Sequence, residues 1–216
     1  MSKAEGARIL ADRSSDELAV VVIDVQVGLF DAKPAPFESA EVIQRINVVT
    51  SRARAANVPV FLVQNDGPED GDWLRPFAPD WQLHPDLRKE PTDILIRKTT
   101  GDVFYGTDLE KQLLRKGIRS LVLTGYASDF CVDATIRNGA SKKFELFVVS
   151  DAHTTNDAPR IKASEIREHL NWVWSDSASA GGIYLVKTVD VNFSNSGLKG
   201  SRGDVKKKKA APLRAA

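Results

Sequence analysis

Six short stretches of this chain, residues 18–24, 58–63, 93–96, 120–124, 144–150 and 183–186, are rich in Val, Ile, Leu and Phe, and several are apolar almost without a break. A strand with one face in water alternates apolar and polar residues. An unbroken apolar run needs cover on both faces, which is the habit of parallel strands inside α/β domains. Between the runs the period lengthens to that of a helix. Residues 38–57 place Val42, Ile46, Val49 and Ala53 on one face, and the stretch stops at Asn57-Val58-Pro59, where the proline marks entry to the next strand. Thr107-Asp108-Leu109-Glu110 has capping-box spacing and opens a helix through Lys116, with Gly117 as its C-terminal cap. Two further helices are expected at 128–141 and 163–174. The alternation predicts a three-layer α/β/α sandwich on a six-stranded, mainly parallel sheet, formed by one domain over residues 1–193.

Residues 64–91 break this rhythm, with five prolines, two tryptophans and no clear period. Loops of that length in a compact domain commonly form lids or binding walls. Trp73, Phe77 and Trp81 are therefore candidates to line a pocket, with the equal alternative that they pin the loop to the core.

Composition narrows the setting. A single cysteine in 216 residues makes no internal disulfide, and the N-terminus lacks the layout of a secretory signal, so a cytoplasmic location is expected. No apolar run approaches the roughly 20 residues that cross a bilayer. The net charge of +1 hides an asymmetry: residues 194–216 carry seven Lys/Arg against Asp204 alone, leaving 23 basic and 28 acidic residues in the rest. A tail so poor in large apolar residues is expected to be disordered. Its run 206–209 reads as a solvated tail, not a nucleic-acid contact, and Arg202-Gly203-Asp204 as a chance match to an adhesion motif.

The residues that carry chemistry lie at strand ends. Open α/β sheets bind ligands beyond the carboxyl ends of their strands. Asp24 ends the first strand, Lys98 follows the third, and Cys131 follows the fourth in what should be the first turn of a helix. A thiol there faces unpaired N–H groups and the positive end of the helix dipole, which favour thiolate. Asp24 is placed to take the thiol proton and later deliver it to a leaving nitrogen, Lys98 to hold both groups, and the backbone N–H groups of Ala127 and Cys131 to receive an oxyanion. Each residue also has an ordinary reading: a buried small hydrophobe, a turn cap and a solvated cation. Among the histidines, His84 is expected in a structural or pocket-rim role, His153 near substrate at a strand end, and His169 on a helix surface.

Four stretches together resemble the isochorismatase-like cysteine hydrolases, the family of nicotinamidases and carbamoylsarcosine amidase. They are Val21-Val22-Ile23-Asp24-Val25-Gln26; Ile96-Arg97-Lys98 with Phe104-Tyr105-Gly106-Thr107-Asp108-Leu109; Thr124-Gly125-Tyr126-Ala127-Ser128-Asp129-Phe130-Cys131-Val132-Asp133-Ala134-Thr135; and Val149-Ser150-Asp151-Ala152-His153-Thr154-Thr155. The third is the most specific, and Trp81-Gln82-Leu83-His84-Pro85 is similar to a subgroup that includes streptothricin-hydrolase-like enzymes. The resemblance implies strand order 3-2-1-4-5-6 and attack by Cys131 on an amide or ureido carbonyl. It also implies a thioester, Asp24 as base for the hydrolysing water, and a cis peptide at Tyr126–Ala127. Homodimers or homotetramers are common in the family. The side chains expected at the substrate are Gln26, Phe30, Trp73, Trp81, Tyr105, Tyr126 and His153. In that strand order Lys98 starts two strands from the one that carries Cys131, so the segment after it must fold inward.

The chain departs from nicotinamidases where they place metal-binding histidines, because Gln64-Asn65-Asp66-Gly67 has none. A zinc site wants several clustered ligands, and no metal or other cofactor is expected. The founding isochorismatase does not use a cysteine at the position of Cys131, which points to the amidase branch. The alternatives are a hydrolase of a non-amide substrate and a non-catalytic ligand-binding homologue. A Rossmann oxidoreductase lacks support, since Asp24-Val25-Gln26-Val27-Gly28 replaces the Gly-x-Gly-x-x-Gly turn.

Overall fold

A computed structural model describes residues 3–177 and 179–193. The expected disordered tail, 194–216, lies outside the described residues. The apolar runs form β1 (Leu18–Ile23), β2 (Val60–Asn65), β3 (Ile94–Lys98), β4 (Ser120–Tyr126), β5 (Glu145–Thr154) and β6 (Ile183–Val186). They make one sheet in the order β3-β2-β1-β4-β5-β6, and every neighbouring pair is parallel.

The unbroken apolar character of β1 has its reason in the layers. Val20 and Val22 join a core with the helices α1 (Lys3–Ala11) and α3 (Ser39–Ala55) on one face. Ala19, Val21 and Ile23 join a second core with α4 (Leu109–Arg115), α5 (Asp133–Ser141) and α6 (Ala163–Asp176) on the other. Burying a Val or Leu side chain fully is worth about 1.5–3 kcal/mol, so β1 is stabilised from both sides. A one-turn helix, α2 (Val27–Phe30), follows β1. Helix α1 was not anticipated from the sequence; it packs against β6, where Gly6 lies so close that a Cβ would stand 2.4 Å from Leu185 O. Among the described residues no helix is long and apolar enough to cross a membrane.

Three helices return to the sheet by one device. After α3, α4 and α5 a residue adopts positive φ: Asn57 at 60°, Gly117 at 75° and Lys143 at 67°. The next N–H then bonds back to the helix, Val58 to Ala53 O at 2.8 Å, Ile118 to Leu113 O at 3.0 Å and Phe144 to Gly139 O at 3.1 Å. These are Schellman closures, and in each the residue after the turn is a buried hydrophobe. Gly117 is the cap expected from sequence. Lys143 carries no such signal, because a side chain at positive φ costs about 1–2 kcal/mol.

Some boundaries differ from expectation. Strand β2 runs on to Asn65, β3 is shifted to Ile94–Lys98, and β5 continues to Thr154 past a register shift opposite Leu123 and Gly125. The expected helix at 128–141 opens with a π-turn (Ser128–Val132) before α5. At α4 the N-cap is Asp108, and Thr107 Oγ1 accepts from Leu109 N–H at 3.2 Å instead of closing a capping box.

Candidate active site

The carboxyl ends of β1, β3 and β4 bring Asp24, Lys98 and Cys131 together. Asp24 has φ 52°, a left-handed conformation uncommon outside glycine, so the chain turns sharply as β1 ends. Next to it Gly125 is required: φ is 120°, and a Cβ would lie 2.1 Å from Ile23 O. Lys98 reaches the centre although β2 and β1 lie between its strand and β4. The segment after it does fold inward: Val103 N–H donates to Thr135 Oγ1 at 3.4 Å, and Thr135 Oγ1 donates to Cys131 O at 2.6 Å. The Tyr126–Ala127 peptide that leads into the nucleophile turn is cis.

Lys98 Nζ lies 2.7 Å from Asp24 Oδ2, 3.0 Å from Thr100 O, 3.1 Å from Asn65 Oδ1 and 3.4 Å from Cys131 Sγ. An ammonium has three N–H donors, so four acceptors share them, and the sulfur takes the weakest share. Both charged side chains are buried. Asp24 accepts no backbone hydrogen bond among the described residues, and burial pushes its pKa up, against the pull of the Lys98 ammonium. Burial, then the facing Asp24 carboxylate, pushes the Cys131 thiol up to about 12. Burial thus outweighs the pull toward thiolate expected of the helix terminus, whose first turn is here a π-turn. It shifts both Cys131 and Asp24 toward their protonated forms, with Lys98 pulling the other way.

Cys131 opens on a cavity of about 330 Å³ lined by Asp24, Leu29, Asn65, Trp73, Gly101, Tyr126, Ala127, Phe130 and Cys131. Outside their own turn, the N–H groups of Ala127 and Cys131 have no backbone acceptor among the described residues. Three larger clefts, of about 540, 570 and 410 Å³, lie against α5 and α6, against α6 and against α3, and none is lined by Asp24, Lys98 or Cys131.

The side chains expected at the substrate divide. Trp73, half exposed, and Tyr126 line the cavity. The Tyr126 hydroxyl donates to Asn156 Oδ1 at 2.7 Å and, raised to about 12 by burial, stays neutral. The other five do not line it. Gln26 is a buried strut, its amide donating to Trp81 O at 2.8 Å and its Oε1 accepting from Asn65 N–H at 2.8 Å. Phe30 packs behind Tyr126 at a ring distance of 5.9 Å. Trp81 is buried, with its indole N–H on Asp66 at 2.7 Å, and Tyr105 is exposed on an outer turn. His153 is fully buried because β5 runs on past it; it sits between Ser128 Oγ at 2.8 Å and Asn171 Oδ1 at 3.1 Å. The loop aromatics thus play both expected roles, Trp73 as wall and Trp81 as pin, while Phe77 stacks outside with Arg97. His84 is structural, 3.2 Å from Asp31, and His169 lies on the surface of α6.

Sequence reasoning missed Leu29, Gly101 and Phe130 in the wall, and Asn65 as a partner of Lys98. Asn65 carried a usable signal: it stands at the carboxyl end of β2, hidden by ending that strand two residues early. Among the described residues no three His, Cys, Asp or Glu side chains cluster as a metal site would need.

The isochorismatase domain model matches residues 18–169. Streptothricin hydrolase of Streptomyces noursei is 35% identical over 141 residues, covering 65% of this chain and 51% of that protein. The chain therefore spans about half the length of that relative. Ureidoacrylate amidohydrolase of Methylorubrum extorquens is 30% identical over 205 residues, covering 76% of this chain and 82% of that protein. Among solved structures, a cysteine hydrolase from Pseudomonas syringae superposes with a TM-score of 0.75 at 20% identity, covering 82% of this chain and 92% of that one. N-carbamoylsarcosine amidase from Thermoplasma acidophilum does so at 0.66 and 21%, covering 85% and 99%. At these identities the structural likeness speaks for the fold alone.

Proposed function

We propose a function on the premise that the chain belongs to the isochorismatase family: it hydrolyses a C–N bond of a small amide or ureido compound through a thioester on Cys131. One observation carries the reading. The Cys131 thiol lines a largely apolar cavity beside the buried Asp24 carboxylate and 3.4 Å from the buried Lys98 ammonium. The relative named ureidoacrylate amidohydrolase supports the choice of bond.

Asp24 takes the Sγ proton as sulfur attacks the carbonyl carbon, so the C–S bond forms as the carbonyl π pair moves to oxygen. The Ala127 and Cys131 N–H groups receive that oxyanion. Lys98 stabilises the sulfur while its negative charge develops. Collapse breaks the C–N bond, and Asp24 returns the proton to the departing nitrogen. Water, deprotonated by Asp24, then attacks the thioester; the C–S bond breaks and the thiol is restored with the same proton.

The test is a panel of primary amides, ureido compounds and lactams, assayed for ammonia release or ring opening. Cys131→Ala is expected to abolish turnover while leaving the melting temperature near that of the parent. Hydrolysis by the alanine variant at near-parent rate would overturn the mechanism.

A further inference from the structure

The walls of the cavity carry information about the charge of what enters. Apart from Asp24 and Cys131, its lining is Leu29, Trp73, Tyr126, Phe130 and the small residues Gly101 and Ala127, with Asn65 as the polar exception. Among the described residues no Lys, Arg or His lines it. Lys98 lies beneath it with no exposed side-chain surface, its charge already matched by Asp24 at 2.7 Å. Arg97, the neighbouring cation on β3, is paired with Asp66 at 2.7 Å and stacked over Phe77 and Trp81. The Tyr126 hydroxyl is spent on Asn156. Asn65 accepts from Lys98 through Oδ1, which leaves its Nδ2 as a donor with no acceptor among the described residues.

A carboxylate brought into such a cavity loses its water and meets no positive partner, which is among the costliest desolvations available to a ligand. A neutral acyl group meets apolar walls and one amide donor. A cation meets the aromatic side chains of Trp73 and Phe130 in the lining. Resting on the amidase reading above, we propose that the site takes amides whose acyl part is uncharged or cationic and excludes those whose acyl part carries a carboxylate.

Iodoacetamide and iodoacetate match in size and differ in charge, and the chain has one cysteine, so loss of its thiol reports on Cys131 alone. The rates on the full chain, each divided by the rate of the same reagent with glutathione in the same buffer, give the charge preference of the cavity. Iodoacetate is expected to be slower than iodoacetamide by about tenfold or more. Trp73→Arg, which sets a cation at the cavity wall, is expected to erase most of that difference. Equal normalised rates, or faster iodoacetate, in the parent chain would overturn the inference.

Turnover is read separately, with phenylacetamide against its 4-carboxy and 4-aminomethyl derivatives. Alkylation does not depend on turnover. Slow iodoacetate with all amides inert would therefore strike the amidase reading alone, whereas rapid iodoacetate with live amides would strike the charge rule alone. Hydrolysis of the 4-carboxy compound as fast as of phenylacetamide would also overturn the charge rule.

Discussion

Two buried polar clusters meet at the turn that carries Cys131, and they are built on opposite principles. The rod Ser128–His153–Asn171 is neutral and satisfied. Asn171 Nδ2 donates to Ser150 O at 3.0 Å, which orients Oδ1 to accept from His153 Nε2–H, so Nδ1 is left to accept from the Ser128 hydroxyl. Burial holds the imidazole down at about 4, so it carries no charge near neutrality. The cluster of Asp24, Lys98 and Cys131 is the reverse: two charges without water, and a sulfur sharing a donor with three oxygens. Buried ion pairs often cost stability relative to apolar replacements, whereas closed hydrogen-bond networks rigidify. On the proposed mechanism, reactivity belongs to the incomplete cluster. The histidine, by habit the first suspect in a hydrolase, serves in the complete one.

The largest effect should come from breaking the charged cluster. Asp24→Asn and Lys98→Met should each lower kcat by roughly 100- to 10,000-fold. Each should also cost about 3–5 kcal/mol of stability, because the remaining partner is left alone. The double variant should be no less active than the worse single one, and should regain most of the lost stability. Rates and urea midpoints measured on the three variants decide this; fully multiplicative rate losses would mean that the two residues do not act as a unit.

An intermediate effect should come from the rod. The folded imidazole pKa of about 4 lies below the ordinary 6.5. Between those values the unfolded chain binds a proton that the folded chain refuses, so the stability this group confers is complete above 6.5 and declines as pH falls toward 4. The decline should amount to about 3 kcal/mol. Thermal melts across that window should show it in the parent and lack it in His153→Gln. An unchanged slope in the variant would place the acid sensitivity elsewhere.

The smallest effect should come from Trp73, which touches the cavity and neither cluster. Trp73→Ala is expected to raise KM several-fold, leave kcat within a few-fold, and change stability by less than about 0.5 kcal/mol. A collapse of kcat comparable to that of Asp24→Asn would make the loop part of the chemistry.

Much of this was legible in the sequence because it is periodic or because it sits at a strand end. Continuous apolar runs announced strands covered on both faces, and Asp24, Lys98 and Cys131 were each marked by the strand before them. What escaped depends on three-dimensional context. The upward shift of the Cys131 thiol follows from burial, which a residue's place in a turn does not reveal. The withdrawal of His153 follows from how far β5 continues past its apolar run. Helix α1 escaped because its short segment gains order by packing on β6, and Trp73 and Trp81, alike in sequence, part company through contacts made only in the fold, Trp81 being tied to Asp66, Gln26 and Gln64.

The attachment of Trp81 has a further consequence. Its carbonyl accepts from Gln26 at 2.8 Å and from Gln64 at 2.9 Å, while Val27 N–H donates to Gln82 O and Gly28 N–H to Asp80 O. The long loop is thereby anchored at both feet to the segment that also sets Asp24. Chain between anchored feet can change length at little entropic cost, since closure entropy grows only with the logarithm of loop length. Residues 67–79 lie between those feet, with Leu74 buried in the core and Trp73 at the cavity, so the wall that meets a ligand is carried on a segment held from the same turn that sets Asp24.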